Sequence, residues 1–216
     1  MKALKLKAPT RKLWIAALVA AAAWLAAPAA QAQQWTPYTG WYGSASAGWF
    51  QLRDNDGSVG ASAVHAEFDP GYALTLAGGY SFGNGFRAEL EGGYAHADID
   101  KASIGGVSAA GGDTDLWSIY AAGYYDFQTN SGFRPYLGGG IGWVHTDADA
   151  IVAGGTRTAS GSTDDWSAFA EAGLNIALAD NLDLVPGVRY IWYNDSHGGL
   201  DDNAAWLFKA GLRYRF

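Results

Sequence analysis

The chain has 216 residues, of which 49% are hydrophobic and 14% aromatic, with 30 glycines and no cysteine. This length is enough for one domain of ordinary size, and the lack of cysteine excludes a disulfide framework and thiol chemistry. The formal net charge of −7 argues against nucleic acid as a partner, because phosphate binding needs clustered Lys and Arg.

The first 32 residues have the pattern of a secretory signal peptide. Five basic residues precede an apolar run, Leu13 to Ala27, and a small-x-small cleavage site follows at Ala30-Gln31-Ala32. The run is short for a membrane-spanning helix, which needs about 20 apolar residues; a retained N-terminal anchor is the alternative. Cleavage before Gln33 would leave nine basic residues against 21 acidic ones, a formal charge of −12. We therefore expect a cleaved signal over residues 1–32 and one exported domain over residues 33–216.

Beyond the signal, apolar and polar residues alternate in eight segments of about 9–11 residues, the length of a tilted membrane-spanning β-strand. In Tyr72–Phe82, for example, large apolar residues and Gly on one face alternate with Ala, Thr, Gly and Ser on the other. The eight segments are Trp41–Leu52, Tyr72–Phe82, Phe86–His96, Asp115–Phe127, Phe133–Val144, Trp166–Leu178, Leu182–Tyr193 and Ala205–Phe216. A period of two without helical stripes predicts an all-β chain.

The two faces of these segments distinguish a membrane barrel from a soluble sandwich. The apolar face begins or ends in aromatic residues, which is typical of girdles at two membrane interfaces. The opposite face carries charges that a soluble core avoids. These charged residues are Arg87, Glu89, Glu91, Glu171, Asp183, Arg189, Lys209, Arg213 and Arg215. The sequence therefore predicts a transmembrane antiparallel β-barrel of eight strands.

The connections between the segments alternate between long and short. The long ones are Arg53–Gly71, Asp98–Thr114, His145–Asp165 and Asn194–Ala204, and the short ones are Gly83–Gly85, Gln128–Gly132 and Ala179–Asn181. Outer-membrane barrels have short periplasmic turns and longer external loops. The pattern therefore places both termini in the periplasm, and an even number of strands leaves no open sheet edge.

The last eight residues resemble the C-terminal signal that the outer-membrane assembly machinery reads. Lys209 and Gly211 occupy its polar and glycine positions, and Tyr214 and Phe216 occupy its aromatic positions. The resemblance implies the barrel-assembly machinery as a partner. The alternative is the last strand of an ordinary sheet.

Residues 33–216 as a whole resemble the small eight-stranded barrels of the OmpA-like and opacity-protein family. The resemblance rests on the stretch Tyr80–Tyr94, with its Phe-Gly-Asn-Gly-Phe-Arg turn, and on the glycine-rich stretch Arg134–Gly142. It implies a multi-pass barrel in the Gram-negative outer membrane, in contact with outer-membrane lipid and lipopolysaccharide, without a cofactor. OmpA-like proteins often continue into a peptidoglycan-binding domain, and we expect none here.

The charged inner face suggests what fills the barrel. Eight strands enclose an interior just wide enough for side chains to fill. Because unpaired buried charges are costly, we expect the nine inward charges to form an ion-paired plug. The alternative is a narrow or gated path for ions.

A lipid-modifying enzyme is a further alternative. Lipid A deacylase barrels carry His-x-Ser-Asn near the outer end of a late strand, where this chain has Trp192 and Asn194 in the His and Ser positions. Ser196 and His197 are adjacent, so in a strand they would point to opposite faces. We therefore expect no catalytic residues and a structural or surface-interaction role, with a small-solute channel as the first alternative and the enzyme as the second.

The motif aromatic-x-His-x-Asp-x-Asp occurs twice, in Tyr94–Asp100 and in Trp143–Asp149. If strand geometry continues, the His and both Asp of each copy share one outward face. Such a stack of oxygen and nitrogen ligands could hold a divalent cation, and the alternative is a polar strand end. The candidate surface ligands are His96, Asp98, Asp100, His145, Asp147 and Asp149.

Overall fold

The computed structural model describes residues 38–52, 55–59, 62–68, 70–104, 107–129, 132–152, 157–194 and 204–216. The strands are β1 (Thr39–Leu52), β2 (Asn55–Val59), β3 (Ser62–Phe68), β4 (Gly71–Phe82), β5 (Phe86–Ile104), β6 (Val107–Asp126), β7 (Phe133–Val152), β8 (Arg157–Ala179), β9 (Leu182–Tyr193) and β10 (Ala204–Arg215). In these ranges no helix is long and apolar enough to cross a membrane. The predicted signal peptide, residues 1–32, lies outside the described residues.

Eight of the strands close into an antiparallel barrel. The sheet runs in the order β5-β4-β1-β10-β9-β8-β7-β6, and pairing of β5 with β6 closes it. The first and last barrel strands, β1 and β10, are neighbours and pair from Tyr42–Arg215 to Leu52–Ala205. The hairpin of β2 and β3 adds to the outer part of β5. The predicted eight-stranded barrel is confirmed, and each barrel strand overlaps one predicted segment.

The short turns, the start of β1 and the C-terminal residue Phe216 lie together at one end of the barrel. In the turn between β4 and β5, Gly83 and Gly85 have φ angles of 75° and 93°. This left-handed region favours glycine, so the predicted Gly-Asn-Gly turn has a direct backbone reason. We call this end the short-turn end; in outer-membrane barrels the short turns face the periplasm.

The long connections are as long as predicted, but three of the four contain paired strand rather than loop alone. Strand β5 continues to Ile104 before β6 begins at Val107, and β7 continues to Val152 before β8 begins at Arg157. The connection Arg53–Gly71 contains the β2–β3 hairpin. Backbone pairing continues in these segments without the regular apolar alternation that marks a strand in sequence.

Aromatic side chains form two belts around the outer wall. In the outer belt every barrel strand contributes one residue: Trp49, Tyr72, Tyr94, Trp117, Trp143, Trp166, Trp192 and Trp206. The inner belt, at the short-turn end, contains Trp41, Phe82, Phe86, Phe127, Tyr214 and Phe216. Between the belts lie exposed apolar side chains such as Leu76 and Ile141, 69% and 64% exposed. This wall is suited to hydrocarbon, and the membrane-spanning part lies between the belts.

The glycine-rich run on β7 makes room for aromatic rings inside the barrel. A Cβ at Gly138 would collide with the ring of Tyr124, and one at Gly140 would lie 2.7 Å from the ring of Phe169. Both rings are buried, 4% and 3% exposed, and their centroids are 6.4 Å apart. The glycines therefore allow aromatic side chains of neighbouring strands to lie flat across β7.

We predict that Gly138→Val destabilises the barrel by about 1–3 kcal/mol, because the added methyl groups overpack the lumen. The matched control is Gly92→Val, since a Cβ at Gly92 has nothing within 4 Å. The measurement is the temperature at which the folded form, which migrates faster on unheated detergent gels, converts to the unfolded form. Equal conversion temperatures for the two variants would show that the β7 glycines are not packing positions.

Candidate functional site

The middle of the lumen is filled by one arginine held between two glutamates. Arg189 on β9 donates to Glu91 on β5 at 2.5 and 2.9 Å, and to Oε2 of Glu171 on β8 at 2.7 Å. Lys209 on β10 lies 2.9 Å from Glu171 and 3.5 Å from Glu91. The three central side chains are 1–3% exposed. Two acids and two bases thus form a neutral central cluster.

Aromatic residues complete the bonding of this central cluster. The hydroxyl of Tyr136 donates to Oε1 of Glu171 at 2.7 Å, and the guanidinium of Arg189 lies 3.7 Å from the ring centroid of Phe169. A buried ion pair is stable only where its remaining polar atoms are also bonded, and these contacts meet that need. The aromatic rings around β7 therefore position the central charges.

A second group of charges closes the short-turn end of the lumen. Arg87 pairs with Glu89, and its Nε lies 3.1 Å from Asp126. Arg134 and Arg215 lie 3.0 and 3.3 Å from the two carboxylate oxygens of Asp183. Arg213 donates to the Oδ1 of Asn175 at 2.8 Å, and the Nδ2 of Asn175 donates to Asp126 at 3.1 Å. We call these residues the short-turn cluster.

Apolar side chains fill the lumen on the other side of the central cluster. Phe50, Leu116, Val144, Ile191 and Leu207 are inward-facing and at most 7% exposed. A cavity of about 30 Å³, measured for the centre of a water-sized sphere, lies between them and the Glu91–Arg189 pair. This volume accommodates about one or two waters, not a solute. The lumen is therefore layered, with charges at the short-turn end and centre and an apolar layer outside.

All nine charged residues proposed from the sequence lie on the inward face of the barrel and take part in these two groups. Sequence reasoning missed six further members: Tyr42, Tyr124, Asp126, Arg134, Tyr136 and Asn175. Two of them could have been predicted. Arg134 and Asp126 lie at strand ends, where the alternation places them on the face opposite the lipid-facing residues. The three tyrosines could not be predicted as lumen residues, because aromatic residues were expected only in the belts.

The two His-containing motifs form matching contacts on the outer wall just beyond the outer belt, outside the membrane-spanning part. Nδ1 of His96 lies 2.9 Å from Asp115, and Nδ1 of His145 lies 2.8 Å from Asp164. In each case the aspartate belongs to the next strand and also accepts a bond from the aromatic residue of the motif, Tyr94 or Trp143. Each copy of the motif therefore acts together with an aspartate on the next strand, and this aspartate is not part of the sequence motif.

These contacts change the proton affinity of both histidines. The hydrogen bond to Asp115 raises the pKa of His96, and the hydrogen bond to Asp164 raises the pKa of His145. The same bond lowers the pKa of the Asp164 carboxyl. Relative to free side chains, these contacts therefore favour the protonated His and the ionised Asp.

The predicted surface cation site keeps only part of its geometry. His96 lies 3.7 Å from Asp98 and His145 lies 3.4 Å from Asp147, so each His faces its own Asp as well as the Asp on the next strand. Among the side chains that the structure describes, no group of three or more His, Asp or Glu is arranged to hold a metal ion. The side chain of Asp100 lies outside that part, and the cation site stays a prediction.

The residues of the C-terminal motif divide between the two faces of β10. Lys209 points into the lumen, and Gly211 lies on the same face of the strand. Tyr214 and Phe216 point outward, and their exposed fractions are 47% and 79%. A Cβ at Gly211 would lie 2.6 Å from the carbonyl oxygen of Ala45 on β1. Gly211 thus has a packing role where the barrel closes, whether or not the motif is also read during assembly.

The late-strand positions compared with lipid A deacylases show no catalytic arrangement in the part that can be described. Trp192 points outward in the outer belt, 47% exposed, and the backbone N–H of Asn194 donates to the carbonyl of Trp166 at 2.9 Å. Ser196 and His197 lie outside the described residues.

A closed antiparallel barrel of eight strands, with two aromatic belts outside and paired charges inside, defines an outer-membrane β-barrel protein. The sequence matches the family described as outer membrane protein beta-barrel domain over residues 17–216, and the chain belongs to that family. The resemblance to small outer-membrane barrels is thereby confirmed. No curated protein sequence gives a significant match.

Solved structures share the fold at low sequence identity. Neisserial surface protein A is 24% identical, with 82% of this chain and 97% of that chain covered and a TM-score of 0.56. OprG from Pseudomonas aeruginosa is 16% identical, with 84% and 99% covered and a TM-score of 0.58. A major outer membrane protein from Thermus thermophilus is 13% identical, with 82% and 99% covered and a TM-score of 0.52. At these identities the likeness shows the fold alone.

We predict that Glu91→Ala destabilises the barrel by about 3–5 kcal/mol, because it leaves Arg189 with one carboxylate in place of two. The control is Asp149→Ala, which removes an exposed carboxylate outside the lumen and should change stability by less than about 0.5 kcal/mol. Urea unfolding of the reconstituted protein measures both values. Equal stability of the two variants would mean that the central cluster does not stabilise the barrel.

We predict that Asp164→Asn lowers the pKa of His145 towards the ordinary value of about 6.5. His96 bonds to Asp115 instead and serves as the internal control in the same NMR titration. Because the folded-state pKa of His145 is raised, its contribution to stability is fully present below about pH 6.5 and is lost as pH rises through the raised pKa. A His145 pKa that does not respond to Asp164→Asn would exclude this bond as the cause.

Proposed function

We propose that this protein is a non-enzymatic outer-membrane barrel with a structural or surface-interaction role and a lumen closed by side chains. The observation that carries the proposal is the central cluster, in which Arg189 spans the lumen from β9 to Glu91 on β5. These two side chains are 1% and 2% exposed. A solute would have to separate this pair to pass.

The layers on both sides of the central cluster support a closed lumen. The apolar layer outside it offers no partners to a hydrated ion, and desolvating an ion without partners is costly. The short-turn cluster fills the lumen on the opposite side of the central cluster. The cavity left there is about 20 Å³, as the volume open to the centre of a water-sized sphere. Transport through the lumen would require all three layers to rearrange.

The distribution of charge supports a role on the external side. The segments 50–71, 95–116, 144–165 and 193–205 connect the strands beyond the outer belt, and their sequences contain 15 Asp and Glu against three Lys and Arg. Six of the nine basic residues after residue 32 belong instead to the lumen clusters. The external part of the barrel is therefore strongly acidic.

Two partners belong to this proposal. The outer wall would contact lipid and lipopolysaccharide. The carboxylates just beyond the outer belt would repel lipopolysaccharide phosphates unless divalent cations lie between them. Lipopolysaccharide binding that does not depend on Mg²⁺ would count against such cation bridging. The assembly machinery would read the motif ending in Phe216, and normal assembly after deletion of Phe216 would count against that reading. Export through the periplasm by the predicted signal peptide completes the proposed route.

We predict that the unmodified protein forms no stable porin-like channel in planar bilayers, because the central cluster and the apolar layer fill the lumen. The double variant Glu171→Ala/Arg189→Ala removes one acid and one base and should show more frequent current events. Insertion is checked in both cases by the gel mobility of recovered protein. A steady conductance of porin size in the unmodified protein would replace the proposed role with the small-solute channel.

A further inference from the structure

The cavity of about 20 Å³ at the short-turn end, measured for the centre of a water-sized sphere, is surrounded by more positive than negative charge. Four guanidinium groups line it, together with two carboxylates. The charged residues that line it are Arg87, Arg134, Arg213, Arg215, Asp126 and Asp183. Its wall therefore differs from that of the central cluster, where acids and bases are equal in number.

The charge excess remains when the whole short-turn cluster is counted. Glu89 is the third carboxylate, paired with Arg87 and 3.9 Å from Arg213. Within the cluster, four arginine side chains thus face three carboxylate side chains, an excess of one positive charge. An uncompensated charge in a closed site is costly, so this cluster favours the uptake of one negative charge.

Two donors of the cluster point to where that charge would bind. The Nε–H groups of Arg213 and Arg215 are buried and have no acceptor among the described residues. The two side chains are only 6% and 13% exposed, and their other nitrogens already bond to Asn175, Asp183 and the carbonyl of Asp180. Buried N–H donors of charged groups are normally bonded, and both of these side chains line the cavity.

We propose that this cavity binds one chloride ion, held by the Nε–H groups of Arg213 and Arg215. A single negative charge matches the excess of one guanidinium. The cavity has room for about one or two water-sized spheres, which is enough for one chloride ion, and a divalent anion such as sulfate would exceed the single excess charge of the cluster. The bound ion would neutralise the short-turn cluster and complete the closure of the lumen at that end.

The test compares anions at equal ionic strength with the purified protein in detergent. Chloride or bromide should raise the melting temperature relative to gluconate in a saturable way, by roughly 3–6 °C at ten times the dissociation constant. Sulfate at the same ionic strength should give no increase. Equal melting temperatures in chloride and gluconate would overturn the proposal.

Two variants separate the site from general effects of salt. Arg215→Met removes the excess charge and one of the two free donors, so the response to chloride should disappear. Arg189→Met, in the central cluster, should lower the melting temperature but keep the response to chloride. Loss of the response in both variants, or in neither, would contradict the assignment.

Crystals of the unmodified protein soaked in bromide provide a direct measurement that does not depend on any variant folding. An anomalous peak within hydrogen-bonding distance of both Nε atoms is the expected result. Ordered bromide found only elsewhere on the surface would mean that the cavity holds water or nothing, and the proposal would fall.

Discussion

Backbone hydrogen bonding in hydrocarbon is the constraint on which this structure depends. No water reaches the bilayer core, so each N–H and C=O of the wall must bond to another strand, and only a closed sheet provides that everywhere. The β1–β10 and β5–β6 pairings close it. Once the sheet is closed, alternation leaves each strand one face for lipid and one for the lumen. The belts and the inward charges are consequences of this closure.

Closure with eight strands also determines what the lumen can contain. The interior is as wide as a few side chains, so a charge placed there meets a charge from the opposite wall rather than water. Arg189 on β9 reaches Glu91 on β5, strands that are far apart along the sheet. Such pairs connect opposite walls of the barrel. The same side chains therefore connect opposite walls and fill the middle of the lumen.

Strand number, the lipid-facing residues and the inward charges could all be predicted, because a period of two is visible wherever lipid and lumen differ in polarity. The hairpins from β5 to β6 and from β7 to β8 could not, since the alternation of apolar and polar residues fades in those segments. The residues that each inward charge contacts across the lumen could not be predicted either. That Glu171 bonds to Tyr136, or His145 to Asp164, depends on strand register, which connection lengths alone leave open.

Charge is separated along the barrel in a way that suits both ends of the proposed role. Lumen charges are shielded from salt and matched almost one for one, whereas the external carboxylates stand in water and are screened within about 10 Å at 0.1 M ionic strength. Between them lies the level just beyond the outer belt, where His96 and His145 each contact an aspartate of the next strand, Asp115 or Asp164. Each of these histidines also lies within 4 Å of the Asp of its own motif, Asp98 or Asp147, so one base faces two acids at each position. Under the proposed role, these histidines would reduce the repulsion between this level of the wall and anionic lipid, while the hairpins beyond it remain acidic.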